Sequence, residues 1–145
     1  MNNKKVRIGC ASAFYGDSQI SARQLVDLGE IDYLVFDYLA EVTMAILSRA
    51  KAKNENYGYA ADFVTVVMKD VLVDCAKKGI KVLANAGGVN VPSCIDALEK
   101  LCQELGLNLK IAGVYGDDLS TSVTTLDKAQ MTELQSNEPL PENLS

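Results

Sequence analysis

The chain has no histidine and no tryptophan, and only three prolines among its 145 residues. Without histidine there is no Ser-His or Cys-His nucleophile pair and no imidazole metal ligand. No side chain ordinarily titrates near neutrality. Chemistry must fall to carboxylates, lysine, tyrosine, a thiol, backbone dipoles or a borrowed metal. No apolar run approaches the ~20 residues that span a bilayer. The start Met1-Asn2-Asn3-Lys4-Lys5 leads into a strand of about five residues and does not read as a signal peptide. The four cysteines, Cys10, Cys75, Cys94 and Cys102, contain no Cys-x-x-Cys pair, so structural zinc is not expected. Cys94 and Cys102 stand about 12 Å apart by helical rise, too far to bridge. Reduced thiols and a cytoplasmic location are the expectation. Neither Gly-x-Gly-x-x-Gly nor Gly-x-x-x-x-Gly-Lys-Ser/Thr occurs, so NAD-type and P-loop NTP sites are not expected. With 14 basic and 19 acidic residues the net charge is -5, which disfavours nucleic acid and anionic membrane as partners.

What is present is an alternation of short apolar runs and helical periodicity. The composition, 48% hydrophobic and 23% charged, is that of one ordinary folded domain. Val6–Cys10, Tyr33–Phe36, Ile80–Ala84 and Leu109–Val114 read as strands. A helix opens at Ser18 or Ser21, with Gln24 placed for a capping box, and closes at Gly29. A second carries Leu39, Val42, Thr43, Ile46 and Ala50. A third, capped by Asp62, carries Val64, Val67, Met68, Val71 and Cys75 and ends at Gly79. A fourth has Pro92 in its first turn and a stripe of Cys94, Ala97, Leu98, Leu101 and Leu105. The expected fold is α/β: a three-layer, Rossmann-like parallel sheet of about four strands flanked by helices. Residues 1–119 form this domain. Residues 120–145 read as a polar tail with a weak helix from Thr124 and Asp127 through Leu126, Ala129, Met131 and Leu134. Four strands is a small sheet, and parallel sheets need both faces covered. The chain therefore reads either as part of something larger or as completing its sheet against a homo-oligomeric or complementary partner.

In such a fold the turns after the strands share one rim, where ligands bind. Asp37 and Glu41, after the second strand, are candidates for general base work or for ligation of a hard cation such as Mg²⁺. They equally suit the N-terminus of the following helix. Asn85-Ala86-Gly87-Gly88 allows close backbone approach to an anion, or is a tight turn with Asn90 as N-cap. Gly116-Asp117-Asp118 offers paired carboxylates, as would any solvated turn. Asp17 adds an oxygen or caps a helix, and Tyr15 and Tyr38 present hydroxyls or serve as an aromatic lid. Cys10, ending the first strand, faces either the sheet or the crevice.

These strings together resemble the N-terminal domain of the acyclic terpene utilisation (AtuA-like) family. The resemblance lies in Ile8 to Asp17, Asp32 to Thr43, Asn85-Ala86-Gly87-Gly88 and Gly116-Asp117-Asp118, in order over roughly residues 6 to 119. The second string is the most specific. The resemblance implies catabolism of branched, terpene-derived acyl compounds handled as coenzyme A thioesters. The family's domain is far longer, so the sequence looks like a truncated form or an excised piece. Where the family has proline directly after the capping asparagine, Val91 intervenes here.

Two readings of function follow. In the first, Asn85, Gly87 and Gly88, with Asn90, Tyr15, Asp17, Asp117 and Asp118 near them, hold a small anionic acyl metabolite while Asp37 or Glu41 moves a proton. In the second, the chain is a non-catalytic ligand-binding or subunit module that needs a partner to complete its sheet and site.

Overall fold

A computed structural model describes residues 5–119 and 131–139. Contacts divide the chain into two compact units, Met1–Val114 and Tyr115–Ser145, each taken by itself below.

The first unit is built on three strands, β1 (Ile8–Cys10), β2 (Tyr33–Phe36) and β3 (Lys81–Ala84), in the order β1-β2-β3. Both pairings are parallel, with Cys10 opposite Val35 and Val35 opposite Leu83. The strands are joined through α1 (Ser21–Leu28), then α2 (Glu41–Lys53), a π-helix (Phe63–Met68) and α3 (Lys69–Lys78); α4 (Val91–Glu104) follows β3. Right-handed crossovers between strands laid in sequential order carry their helices to the same side of the sheet. α1 packs on β2 and on α3, α3 packs on β3, and α4 packs on the π-helix.

The covered face holds Leu34 and Phe36, both buried, over Val26, Val67, Met68, Val71 and Cys75. Gly9 belongs to this face, and a methyl group there would come within 3.0 Å of Leu25 on α1. A larger residue there would have to push aside the side chains of Leu25 and Ile31. The opposite face carries Ile8, Cys10, Tyr33, Val35, Lys81 and Leu83. Ile8 is 65% and Leu83 49% exposed, Cys10 is exposed and Tyr33 and Val35 are half-buried. Among the described residues, the unit thus has two layers of the three expected.

The third helix follows its expected stripe, with Val64, Val67, Met68, Val71 and Cys75 all buried. Asp62 accepts a hydrogen bond from the Phe63 amide at 2.9 Å, and Gly79 closes α3 at φ 69°. Its first six residues wind as a π-helix, a form often found beside functional sites. Asn90 caps α4 through the Ser93 amide at 3.4 Å, so the intervening Val91 leaves the cap in place. At α1, Ser21 is the first helical residue rather than the cap, and the Ser18 hydroxyl accepts from the Ser21 amide at 3.2 Å.

Three expectations need correction. Residues 109–114 pair with no strand: Ile111 reaches the core, but Leu109 and Val114 stay exposed. With Leu109 and Val114 exposed, the run buries too little apolar surface to hold a further strand at the sheet's edge. On α2 the buried residues are Thr43 and Leu47, while Val42 and Ile46 are 71% and 50% exposed. Thr43 keeps its expected inward place, and Leu47 packs against Gly88. In the second unit, Thr124, Leu126, Asp127 and Ala129 lie outside the described residues. At Met131 and Leu134 the chain is not helical: Thr132 pairs antiparallel with Pro139, and the Glu133 carboxylate accepts from the Gln135 and Ser136 amides at 2.9 and 2.7 Å. A side chain that bonds backbone two and three residues on favours a turn over helix.

Candidate functional site

The register decides what meets at the carboxyl rim. With Cys10, Val35 and Leu83 level across the sheet, Ser12, Asp37 and Asn85 are level two residues later. Their side chains and backbone form one network. The Ser12 hydroxyl donates to the Asp37 carbonyl at 3.4 Å, and the Asp37 amide to the Ser12 carbonyl at 3.4 Å. The Asn85 Nδ2 donates to Asp37 Oδ1 at 2.8 Å, and Asn85 Oδ1 accepts from the Tyr38 amide at 2.7 Å. Asn85 therefore orients the Asp37 carboxylate and ties β3 to β2. Asp37 and Asn85 are both exposed, so the carboxylate is held in place yet open to a ligand.

The Gly87-Gly88 turn is tight for reasons inside the protein. Gly88 sits at φ 53°, and a Cβ there would lie 2.5 Å from Leu47 Cδ1 and 2.7 Å from the Gly58 carbonyl oxygen. The amides of Gly88, Val89 and Asn90 donate to the carbonyls of Asn85, Gly58 and Gly87 at 3.1, 2.9 and 2.9 Å. Those three N–H groups are committed to the protein, not aimed at an anion. Asn90 is buried, and its Nδ2 donates to the Glu55 and Tyr57 carbonyls at 2.7 and 2.6 Å. The second N–H of Asn85 is the more natural polar contact for a ligand here.

Chain alternation divides the rim into two sides. Phe36 and Tyr38 stack at 5.8 Å on the covered side, and Asp37 between them points away. Tyr38 also meets Tyr15 edge-on at 6.0 Å and Phe63 at 6.0 Å. Burial, and then the charge of nearby Asp62, raise the hydroxyl pKa of both Tyr15 and Tyr38. Asp62 itself is raised by burial, which the hydrogen bond from the Phe63 amide only partly offsets. The sequence marks Asp62 as a cap but not as a charge felt by both tyrosines. Its segment is drawn to the rim by the bond from the Ala60 amide to the Ala86 carbonyl at 2.8 Å, a long-range contact that leaves no local trace.

The remaining candidates are more dispersed. Glu41 opens α2, where its charge favours the helix dipole. Asp17 is exposed, and its Oδ2 accepts from the Ala13 amide at 2.9 Å, closing the first turn. Asp117 and Asp118 are exposed and belong to the second unit. Among the described residues, no three Cys, Asp or Glu side chains gather as a metal-binding group, and no helix is long and apolar enough to cross a membrane. Cys10 is exposed, its Sγ 3.1 Å from the Ser12 carbonyl oxygen, while Cys75, Cys94 and Cys102 are buried.

Comparison with curated proteins and with solved structures gives no match. Comparison with protein families matches residues 6–144 to the acyclic terpene utilisation family protein AtuA. That span takes in every rim residue described above, and the chain belongs to the acyclic terpene utilisation family AtuA.

Proposed function

We propose that this chain forms the α/β part of a cytoplasmic catabolic enzyme of acyclic terpene utilisation, acting on a branched, anionic acyl compound carried as a thioester. The observation that carries this reading is the exposed Asp37 carboxylate held 2.8 Å from Asn85 Nδ2 at the carboxyl rim of a parallel sheet. Asp37 takes a proton from the substrate carbon next to the thioester carbonyl, and the remaining Asn85 N–H meets the oxygen that gains charge. Glu41, four residues on at the start of α2, is a second carboxylate for the same proton or for a phosphate-bound Mg²⁺. Tyr15 contributes a hydroxyl from the first turn. Gly87 and Gly88 shape the floor, while Asn90 acts by holding the turn. Asp17 is a further oxygen for the polar end of the ligand.

Binding to coenzyme A thioesters, with inorganic phosphate and Mg²⁺ as separate arms, tests the reading by thermal shift. A ligand at 100 times its dissociation constant stabilises by about 2.7 kcal/mol. Asp37→Asn is expected to keep the fold and abolish turnover. Turnover unchanged in that variant removes Asp37 from the mechanism. A second reading, a subunit that needs a partner to complete its sheet, is favoured by the exposed face bearing Ile8 and Leu83.

A further inference from the structure

The covered side of the rim holds a hydroxyl that the protein itself leaves unbonded. Tyr38 is only 3% exposed, its ring packed on Phe36, Phe63 and Tyr15. Its amide donates to Asn85 Oδ1, but its hydroxyl has no hydrogen-bond partner among the described residues. Every side-chain oxygen or nitrogen of a non-exposed described residue that is sealed from solvent does have one. The Tyr38 hydroxyl is therefore the tip of a buried side chain that still opens to the outside. A group so placed is completed by whatever enters the opening.

Asp62 supplies the complementary group, in the same unit and half-buried. It directly precedes Phe63, whose ring meets Tyr38 edge-on at 6.0 Å, and the hydroxyls of Tyr15 and Tyr38 both feel its charge. Its carboxylate accepts from the Phe63 amide at 2.9 Å, yet among the described residues it has no side-chain donor and no ion pair. Burial has pushed its pKa up, so any donor that replaces lost water stabilises the charge.

Donor, acceptor and surroundings select the ligand. Tyr38 has one O–H to give, and Asp62 has lone pairs to fill. An anionic ligand would meet Asp62 with like sign. Among the described residues no three acidic or thiol groups gather for a metal ion. An ammonium would give up its own hydration to reach a half-buried carboxylate, a cost that can exceed the attraction. A hydroxyl meets both needs without charge, and the bordering rings of Tyr15 and Phe63 suit an apolar body.

We propose that the covered side of the rim is a second binding site, taking an uncharged, largely apolar molecule through one hydroxyl group that accepts from Tyr38 and donates to Asp62. Asp37 points to the other side of the sheet, and the site does not rest on the acyl-thioester reading; Tyr15 alone belongs to both.

Three probes of one shape separate the chemistries: sec-butyl alcohol, butanone and sec-butylamine. Butanone only accepts hydrogen bonds, and the amine is a cation at neutral pH. The full chain, carrying isotope-labelled tyrosine, is titrated with each while the ring signals of its six tyrosines are followed by NMR. The alcohol is expected to move Tyr38 and Tyr15 saturably while Tyr33, on the uncovered face, stays put. It should bind about tenfold more tightly than butanone, because a carbonyl leaves Asp62 without a donor. Tyr38→Phe keeps the ring and breaks no bond within the protein. It is expected to weaken the alcohol about tenfold, read at Tyr15, with the melting temperature unchanged. Asp62→Asn still caps the π-helix through its oxygen but turns an N–H to the ligand, so the preference should swing to butanone. Equal binding of alcohol and butanone by the wild type, tighter binding of the amine, or no movement of Tyr38 at the highest soluble probe concentration overturns the proposal. So does a preference for the alcohol that survives Asp62→Asn.

Discussion

Gly88→Ala is the sharpest test of how the rim is held. The residue sits at φ 53°, and a Cβ would meet Leu47 Cδ1 at 2.5 Å and the Gly58 carbonyl oxygen at 2.7 Å. The left-handed conformation costs a non-glycine residue about 1 kcal/mol, and forcing a methyl group into a packed site adds about 1–3 kcal/mol. Leu47 can turn aside, but the Gly58 backbone cannot, because its oxygen accepts from the Val89 amide at 2.9 Å. The expected total is about 2–4 kcal/mol. Gly79→Ala is the matched control: φ is 69°, and nothing lies within 4 Å of the added carbon, so only the conformational cost of about 1 kcal/mol remains. In a chain of this size each kcal/mol lowers the melting temperature by about 2–4 °C. Urea unfolding of both variants, followed by circular dichroism, measures the difference directly. Equal losses at the two glycines would show that the Gly58–Gly88–Leu47 approach is not tight, and the account of the α2 and Gly87-Gly88 junction would fail.

Asn85→Ala leaves the Tyr38 amide without its acceptor and Asp37 without its donor. It should cost about 1–3 kcal/mol in urea unfolding, and a neutral result would mean that the bridge between β2 and β3 contributes nothing. Asp62→Asn probes the titration of a carboxyl whose charge both tyrosines feel. Burial raises the folded pKa of Asp62 above its ordinary value of 3.8, so the folded state binds the proton more tightly than the unfolded one. The resulting stability is fully present below the unfolded pKa and is lost as pH rises through the folded pKa. Asparagine caps as well as aspartate does. The variant is therefore expected to match the wild type at neutral pH or exceed it, and to lose the decline above about pH 4. The same slope in both proteins, measured by unfolding at a series of pH values, would contradict the burial of that carboxylate.

Much of the covered side was legible from the chain. The stripe Val64, Val67, Met68, Val71 and Cys75, the caps Asp62 and Asn90, and the stop at Gly79 are local patterns, because helical periodicity and capping act within a few residues. The paired rim was legible only in outline. Turns after parallel strands must share an edge, but the bond between Asp37 and Asn85 spans 48 positions and depends on register. Asp62 looked like a cap and nothing more, since its approach to Tyr15 and Tyr38 is made by the fold. On α2 the expected stripe held Thr43 together with Val42 and Ile46; Thr43 is buried, but Leu47 takes the inward place of the other two, against Gly88. Neighbouring stripes on one helix differ by a small rotation, which only the tertiary contacts set.

The amino-acid sequence by itself determined the three paired strands, the helices of the first unit, the caps at Asp62 and Asn90, the absence of imidazole chemistry and the residues available at the rim. Only the tertiary structure decided that three strands run in sequential order and therefore carry their helices on one side. Strand order is a long-range choice that no periodicity encodes. From it follow the two layers instead of three and the exposed face that ends at Asp37.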